Sequence, residues 1–294
     1  MRHEYSPRLE IIVDYACETG ENPLWHPDER RLYWTDIPTG RLFRFDPQTN
    51  SHEMIYHDRP VGGFTFHADG GLLLFRDRGN VALWREGKLT EIIDEIPAER
   101  ESRFNDVFAD PAGRVFCGTM SSDQCKGRLY RLDTDGKLSL VLESIGCSNG
   151  MGFTPDLKGL YYTDSYAREI YRFDYNLDDG SLSNQRVFAT LAEPDGLPDG
   201  MTVDQEGRVW SAVWDGSALV RFNAQGEVEL RIHFPTRKIT SLAFGGDDLR
   251  DIYVTSAGGH TKQDDGAAAG ALFRHKTGDQ GTKEFFSRVS IDQK

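Results

Sequence analysis

The sequence predicts an all-β fold, a six-bladed β-propeller. Three observations lead there. Six segments of one plan recur along the chain; each alternates apolar or aromatic with polar residues between turns rich in Asp, Pro and Gly; and 3.6-residue periodicity is confined to residues 89 to 102.

The repeats are HPDERRLYWTDI at 26, HADGGLLLF at 67, DPAGRVFCGTM at 110, TPDLKGLYYTDS at 154, DQEGRVWSAVW at 204 and GGDDLRDIYVTSA at 245. A second strand signal ending in a turn follows each, as in GRLFRFDPQTN after the first and GRLYRLDTDGKL after the third. A period of about 40 to 50 residues with four strands makes one blade, and a blade cannot bury both faces alone, so a ring of six gives each blade two neighbours. Residues 1–294 therefore read as one propeller domain, with blades starting near 20, 61, 104, 148, 198 and 239. No Pro, Gly or Ser linker divides the chain, which disfavours two packed β-sandwich domains. The strand LEIIVD (9 to 14) is expected to close the last blade beside KEFFSRVS (283 to 290), removing an exposed edge.

Composition narrows the partners. Thirty-four basic against 47 acidic side chains give a formal charge of -13 without a long like-charge block, which argues against a nucleic acid or an anionic membrane. The N-terminal MRHEYSPRLEIIVDY has no apolar core of a signal peptide and no apolar run approaches a membrane span, so a cytoplasmic location is expected. Cys17, Cys117, Cys125 and Cys147 form no CxxC pair in a chain large enough to need no staple, and are read as free thiols. Nothing in the sequence indicates an oligomeric state.

The letters GCSNG (146 to 150) fit the GxSxG pattern of a serine nucleophile elbow, which requires a strand, a tight turn and a helix. The following MGFTPDLKGLYYTDS reads as strand, turn and strand, so Ser148 is not expected to be a nucleophile.

The neighbouring asparagine carries more. Five positions before each repeat start stand Glu21, Gly62, Asn105, Asn149, Asp199 and Thr240. If the strand entering each blade is innermost, these side chains start at equivalent points around the central channel. Two carboxylates and two amides gathered there form an oxygen-rich cage suited to a hard divalent cation. Each alone is as well explained by turn chemistry, through local hydrogen bonds of Asn and Asp. The set in one register favours a metal site in the channel.

At these residues the sequence resembles the SMP-30, gluconolactonase and luciferin-regenerating enzyme family. The resemblance rests on GENPLWHP (20 to 27), RFNDVFADPAGRVFCGTM (103 to 120), SNGMGF and YYTDS (148 to 165), LPDGMTVDQEGRVW (197 to 210) and FGGDDLRDIYVTSA (244 to 257), and covers nearly the whole chain. It implies one divalent metal held by Glu21, Asn149 and Asp199, with Arg103 and Asn105 contacting a small sugar lactone. The ion's identity stays open among Ca²⁺, Mg²⁺, Mn²⁺, Zn²⁺ and Fe²⁺. Family members differ in SSDQCKG (121 to 127) and in GGHTKQDDGAAAG (258 to 270), so the particular lactone does not carry over.

The expected reaction is hydrolysis of an aldonolactone to its acid, the metal acting as Lewis acid, with Asp199 as general base or a metal-bound hydroxide as nucleophile. Loops at 36–40, 76–80, 118–127, 164–168, 214–217 and 258–270 would open on one face and form the mouth, the last as a candidate lid. Asp123, Trp214 and His260 are the candidate substrate contacts among them. The alternatives are a metal-dependent esterase or phosphotriesterase on the same scaffold and a non-catalytic calcium-binding propeller.

Overall fold

Tight turns between alternating runs fold each repeat into an antiparallel meander. A computed structural model describes residues 3–5 and 9–291. The first blade runs outward through Gly20–His26, Arg31–Asp36, Arg41–Asp46 and Ser51–His57. The innermost strands of the next five are Val61–Phe66, Phe104–Ala109, Ser148–Phe153, Leu197–Val203 and Ile239–Gly245. These six strands surround the central channel.

Burial follows from the ring. Each seam between adjacent blades holds its own apolar cluster, from Phe64, Leu42 and Tyr33 between the first and second blades to Trp25, Trp34 and Tyr253 where the sixth meets the first. The closing seam is thus packed like the others.

Residues 89 to 102 do not form a helix. Glu86 and Gly87 both adopt positive φ, at 51° and 79°, and form a two-residue hairpin turn that pairs Lys88 with Arg85. That turn draws the run into the strand Lys88–Ile93, leaving one 3-10 turn at Pro97–Glu99.

Closure of the last blade uses the N-terminal strand. Glu10–Asp14 pairs antiparallel with Ala271–Lys276 and is the fourth strand of the sixth blade. The strand His3–Tyr5 continues on to the fifth blade, where it pairs in parallel with Val228–His233. The segment 283 to 290, expected from the sequence to lie beside it, does not. After Lys276 the chain passes across the end of the channel and touches every blade. Gly281 N–H donates to Leu249 O at 2.9 Å, Thr282 Oγ1–H to Val203 O at 3.1 Å, Ser287 N–H to Phe66 O at 2.8 Å and Arg288 N–H to Gly113 O at 2.8 Å. The Phe285 ring meets Phe153 edge-on, and Phe286 packs on His26 and Phe66. Adjacent Phe285 and Phe286 thus find separate apolar seams, a pattern that no sheet edge would serve.

Every innermost strand breaks register once near its start: between Glu21 and Leu24, Val61 and Gly63, Phe104 and Val107, Asn149 and Met151, Pro198 and Met201, and Ile239 and Ser241. Such one-residue bulges re-aim side chains. Here they recur at the positions that carry the polar set.

Candidate active site

Glu21, Gly62, Asn105, Asn149 and Thr240 are each the second residue of an innermost strand, and Asp199 is the third. Four of these positions meet in one cavity of about 230 Å³, lined by Glu21, Asn105, Asn149 and Asp199 together with Arg103 and Trp214 among others.

A chain of hydrogen bonds fixes the amides. The Arg103 guanidinium donates from Nη1 to Asn105 Oδ1 at 2.6 Å and to Phe104 O at 2.8 Å. Asn105 Nδ2 donates to Asn149 Oδ1 at 2.9 Å, and Asn149 Nδ2 to Ser165 Oγ at 2.8 Å. The Ser165 hydroxyl then donates to Pro198 O at 2.6 Å, beside Asp199. This relay crosses three blades and sets which face of each amide meets the cavity. Asn149 Oδ1 keeps a second lone pair beyond the bond from Asn105.

The carboxylates are in a strained electrostatic setting. Burial pushes the Asp199 carboxyl well above the usual carboxylate range, and the Asp106 charge adds to this, against a Gly200 N–H hydrogen bond and Arg103. Glu21 is likewise pushed well up, first by burial and then by the charges of Asp199 and Asp106. Burial lifts Asp106 to about 7, with Arg103 pulling it down. Arg103 is in turn depressed by burial, which the nearby acids oppose. Crowded, dehydrated carboxylates of this kind prefer either a proton or a cation.

The donor set fits a hard divalent ion. Among the described residues no group of three or more His, Cys, Asp and Glu is arranged for a metal. What converges is two carboxylates, Glu21 and Asp199, with the amide oxygen of Asn149, an all-oxygen set. Glu21 Oε2 accepts from Asn22 N–H at 3.0 Å, which orients that carboxylate.

The remaining candidates separate. Trp214 lines the cavity, and the Lys238 ammonium stands 5.6 Å from its ring centroid. His260 is exposed and lines an adjoining cavity of about 480 Å³ that shares Thr19 and Trp214 with the first. Asp123 is exposed on its loop and is not among the residues that line either cavity. The loop from 258 to 270 is tied down rather than free. Gly258 and Gly259 N–H donate to Glu18 O and Cys17 O, Cys17 N–H donates to Gly270 O, and Lys238 bonds Asp265 at 2.5 Å. Ser148 is fully buried at the start of a strand followed by another strand, with its Oγ against Gly118, so no elbow forms.

Two residues at the site were not singled out by sequence. Tyr166 lines the cavity although 57% exposed, and Asp106 is buried without lining it. The first belongs to a loop whose side chains carry no periodic signal. The second follows Asn105 directly, and strict alternation would turn it away; only the bulge brings it into the field of Glu21 and Asp199.

Residues 19–258 match the sequence profile described as SMP-30/gluconolactonase/LRE-like region. The chain belongs to this family. Among family relatives, a pentonolactonase of Haloferax volcanii, XacC, is 47% identical over 287 residues, covering 95% of this chain and 98% of its own. A 6-deoxy-6-sulfogluconolactonase of Pseudomonas putida is 35% identical, with coverage of 85% and 87%. The regucalcin of Xenopus laevis is 31% identical, with coverage of 86% and 87%. The solved structure of a luciferin-regenerating enzyme superposes with a TM-score of 0.89 at 28% identity, covering 97% of this chain and all of that one.

Proposed function

We propose that the protein hydrolyses a sugar lactone to the corresponding aldonic acid, using one divalent cation held by Glu21, Asn149 and Asp199. The observation that carries this reading is the meeting of two raised carboxylates, an oriented amide pair and the Arg103 guanidinium in one cavity sized for a small polyol. The names of the relatives, a pentonolactonase and a 6-deoxy-6-sulfogluconolactonase, support a lactone as the substrate class.

When bound, the cation would supply Lewis-acid polarisation of the lactone carbonyl. The protein's own groups do the rest. Asp199, the general base, takes a proton from the attacking water on a carboxylate oxygen. Arg103, held by Phe104 O and Asn105 Oδ1, directs its remaining N–H donors at the hydroxyls or at the carboxylate that forms on ring opening. Asn105 acts as a further substrate contact, and Trp214 gives a flat apolar wall for the sugar face.

The test is acid release in a pH-stat from a panel of five- and six-membered aldonolactones. Chelator-treated protein is compared before and after addition of Ca²⁺, Mg²⁺, Mn²⁺, Zn²⁺ or Fe²⁺, with Asp199→Ala as control and an aryl ester as a competing substrate class. Cation-dependent release that Asp199→Ala lacks is the expected result. Release no faster than spontaneous hydrolysis with every ion would overturn the reading.

A further inference from the structure

Asp106 is a buried carboxylate with no task in the reaction above. It shares the bulge of the third innermost strand with Asn105, both lying between the pairs Phe104 to Thr119 and Val107 to Cys117. The side chain is 8% exposed, and its Oδ1 is buried without a hydrogen-bond partner. A buried anion in that condition is costly unless a positive charge answers it.

Its neighbours are anions. The Asp106 charge acts on Glu21 and is the foremost neighbouring charge on Asp199. Among the described residues, Arg103 is the one cation that acts on all three carboxylates. With all three ionised, three carboxylates against one guanidinium leave two negative charges, which one divalent ion would neutralise. Asp106 is not among the residues that line the cavity, whereas Glu21, Asn149 and Asp199 are. It therefore lies off the wall that the ligands line.

We infer that Asp106 is a third anionic component of the cation site, a positioning residue that strengthens binding of a divalent ion through its field rather than by contact. The inference rests on the cation reading above and extends it to a residue outside the ligand set. It also gives the orphaned oxygen its answering charge. In the metal-free protein Asp106 destabilises the fold; with the ion in place it secures the ion.

Those two effects have opposite signs, and that makes them separable from simple structural damage. Chelator-treated wild type, Asp106→Asn and Asp106→Ser are titrated with Mn²⁺ and Ca²⁺ by calorimetry, and each is melted with and without ion. Wild type should bind one ion per chain, and both variants should bind it about tenfold more weakly or worse. Metal-free variants should melt above metal-free wild type, while the rise in melting temperature on adding ion should be smaller. Affinities equal within about twofold would overturn this inference and leave the lactonase reading standing. Variants that melt below wild type in both forms would overturn the charge argument. Two ions per chain in wild type and one in the variants would overturn the single-ion arrangement by giving Asp106 an ion of its own. No binding by wild type would overturn this inference and the lactonase reading together.

Discussion

Asn105 Nδ2 donates to Asn149 Oδ1 at 2.9 Å across the seam between the third and fourth blades. The bond fixes the oxygen face of one proposed ligand by means of the residue at the equivalent position of the neighbouring blade. Asn105→Leu removes the donor at similar volume and frees the Asn149 amide to turn. The expected loss is about 10- to 100-fold in cation affinity, in the range found when groups that orient metal ligands are removed. Calorimetric titration with Mn²⁺ checks it, and unchanged affinity would show that Asn149 is held by Ser165 alone.

Protons and cation compete for Glu21 and Asp199. Burial and neighbouring carboxylates raise both carboxyls, so acidification fills them with protons at a pH where ordinary carboxylates are still ionised. Apparent affinity should therefore fall as pH is lowered from 7.5 to 5.5, by roughly tenfold per pH unit for each proton displaced. Proton release measured in two buffers of different ionisation enthalpy reads the same event. A pH-independent affinity would mean that these groups do not hold the ion.

The three loop candidates should not behave alike. Trp214→Ala opens the wall of the cavity and should raise KM for the preferred lactone by roughly tenfold with a smaller effect on kcat, as expected when ground-state binding is lost. Asp123→Asn and His260→Ala should leave both within about twofold, since neither side chain lines the cavity that holds Glu21 and Asp199. A large KM effect at His260 would extend the substrate into the adjoining cavity.

The innermost register was legible because Glu21, Asn105, Asn149 and Asp199 each stand a fixed distance before a turn that Gly, Pro and Asp make visible. The side of the strand to which the next residue turns was not. A bulge inserts one residue without a compositional mark, so Asp106 reads as an outward residue until the register Phe104 to Thr119, Val107 to Cys117 is known. The C-terminal segment failed for a related reason. KEFFSRVS has the composition of a strand, but its partners are Phe153, Phe66 and Gly113 on three different blades, and no local pattern encodes contacts so distant in the chain. Likewise the periodicity at 89 to 102 lost to the Glu86 and Gly87 turn, whose geometry commits the following residues to strand pairing.

That C-terminal strap carries a titrating group of its own. Glu284 lies between Thr282 and Phe285 on the wall of a cavity shared with Phe153 and Val203, and burial lifts its carboxyl to about 7. A folded-state value above the unfolded one means that the contribution is intact below about pH 4 and is lost as pH rises through 7. Wild type should thus lose melting temperature between pH 5 and pH 8, where Glu284 ionises against its apolar surroundings. Glu284→Gln keeps the neutral form at every pH. It should approach wild type toward pH 4 and exceed it at pH 8 by on the order of 1–3 kcal/mol. Melting curves of both proteins across that range decide the point: parallel profiles would show that the strap yields to solvent at Glu284, whereas convergence at low pH and divergence at high pH would establish that the strap holds the carboxyl against the end of the channel.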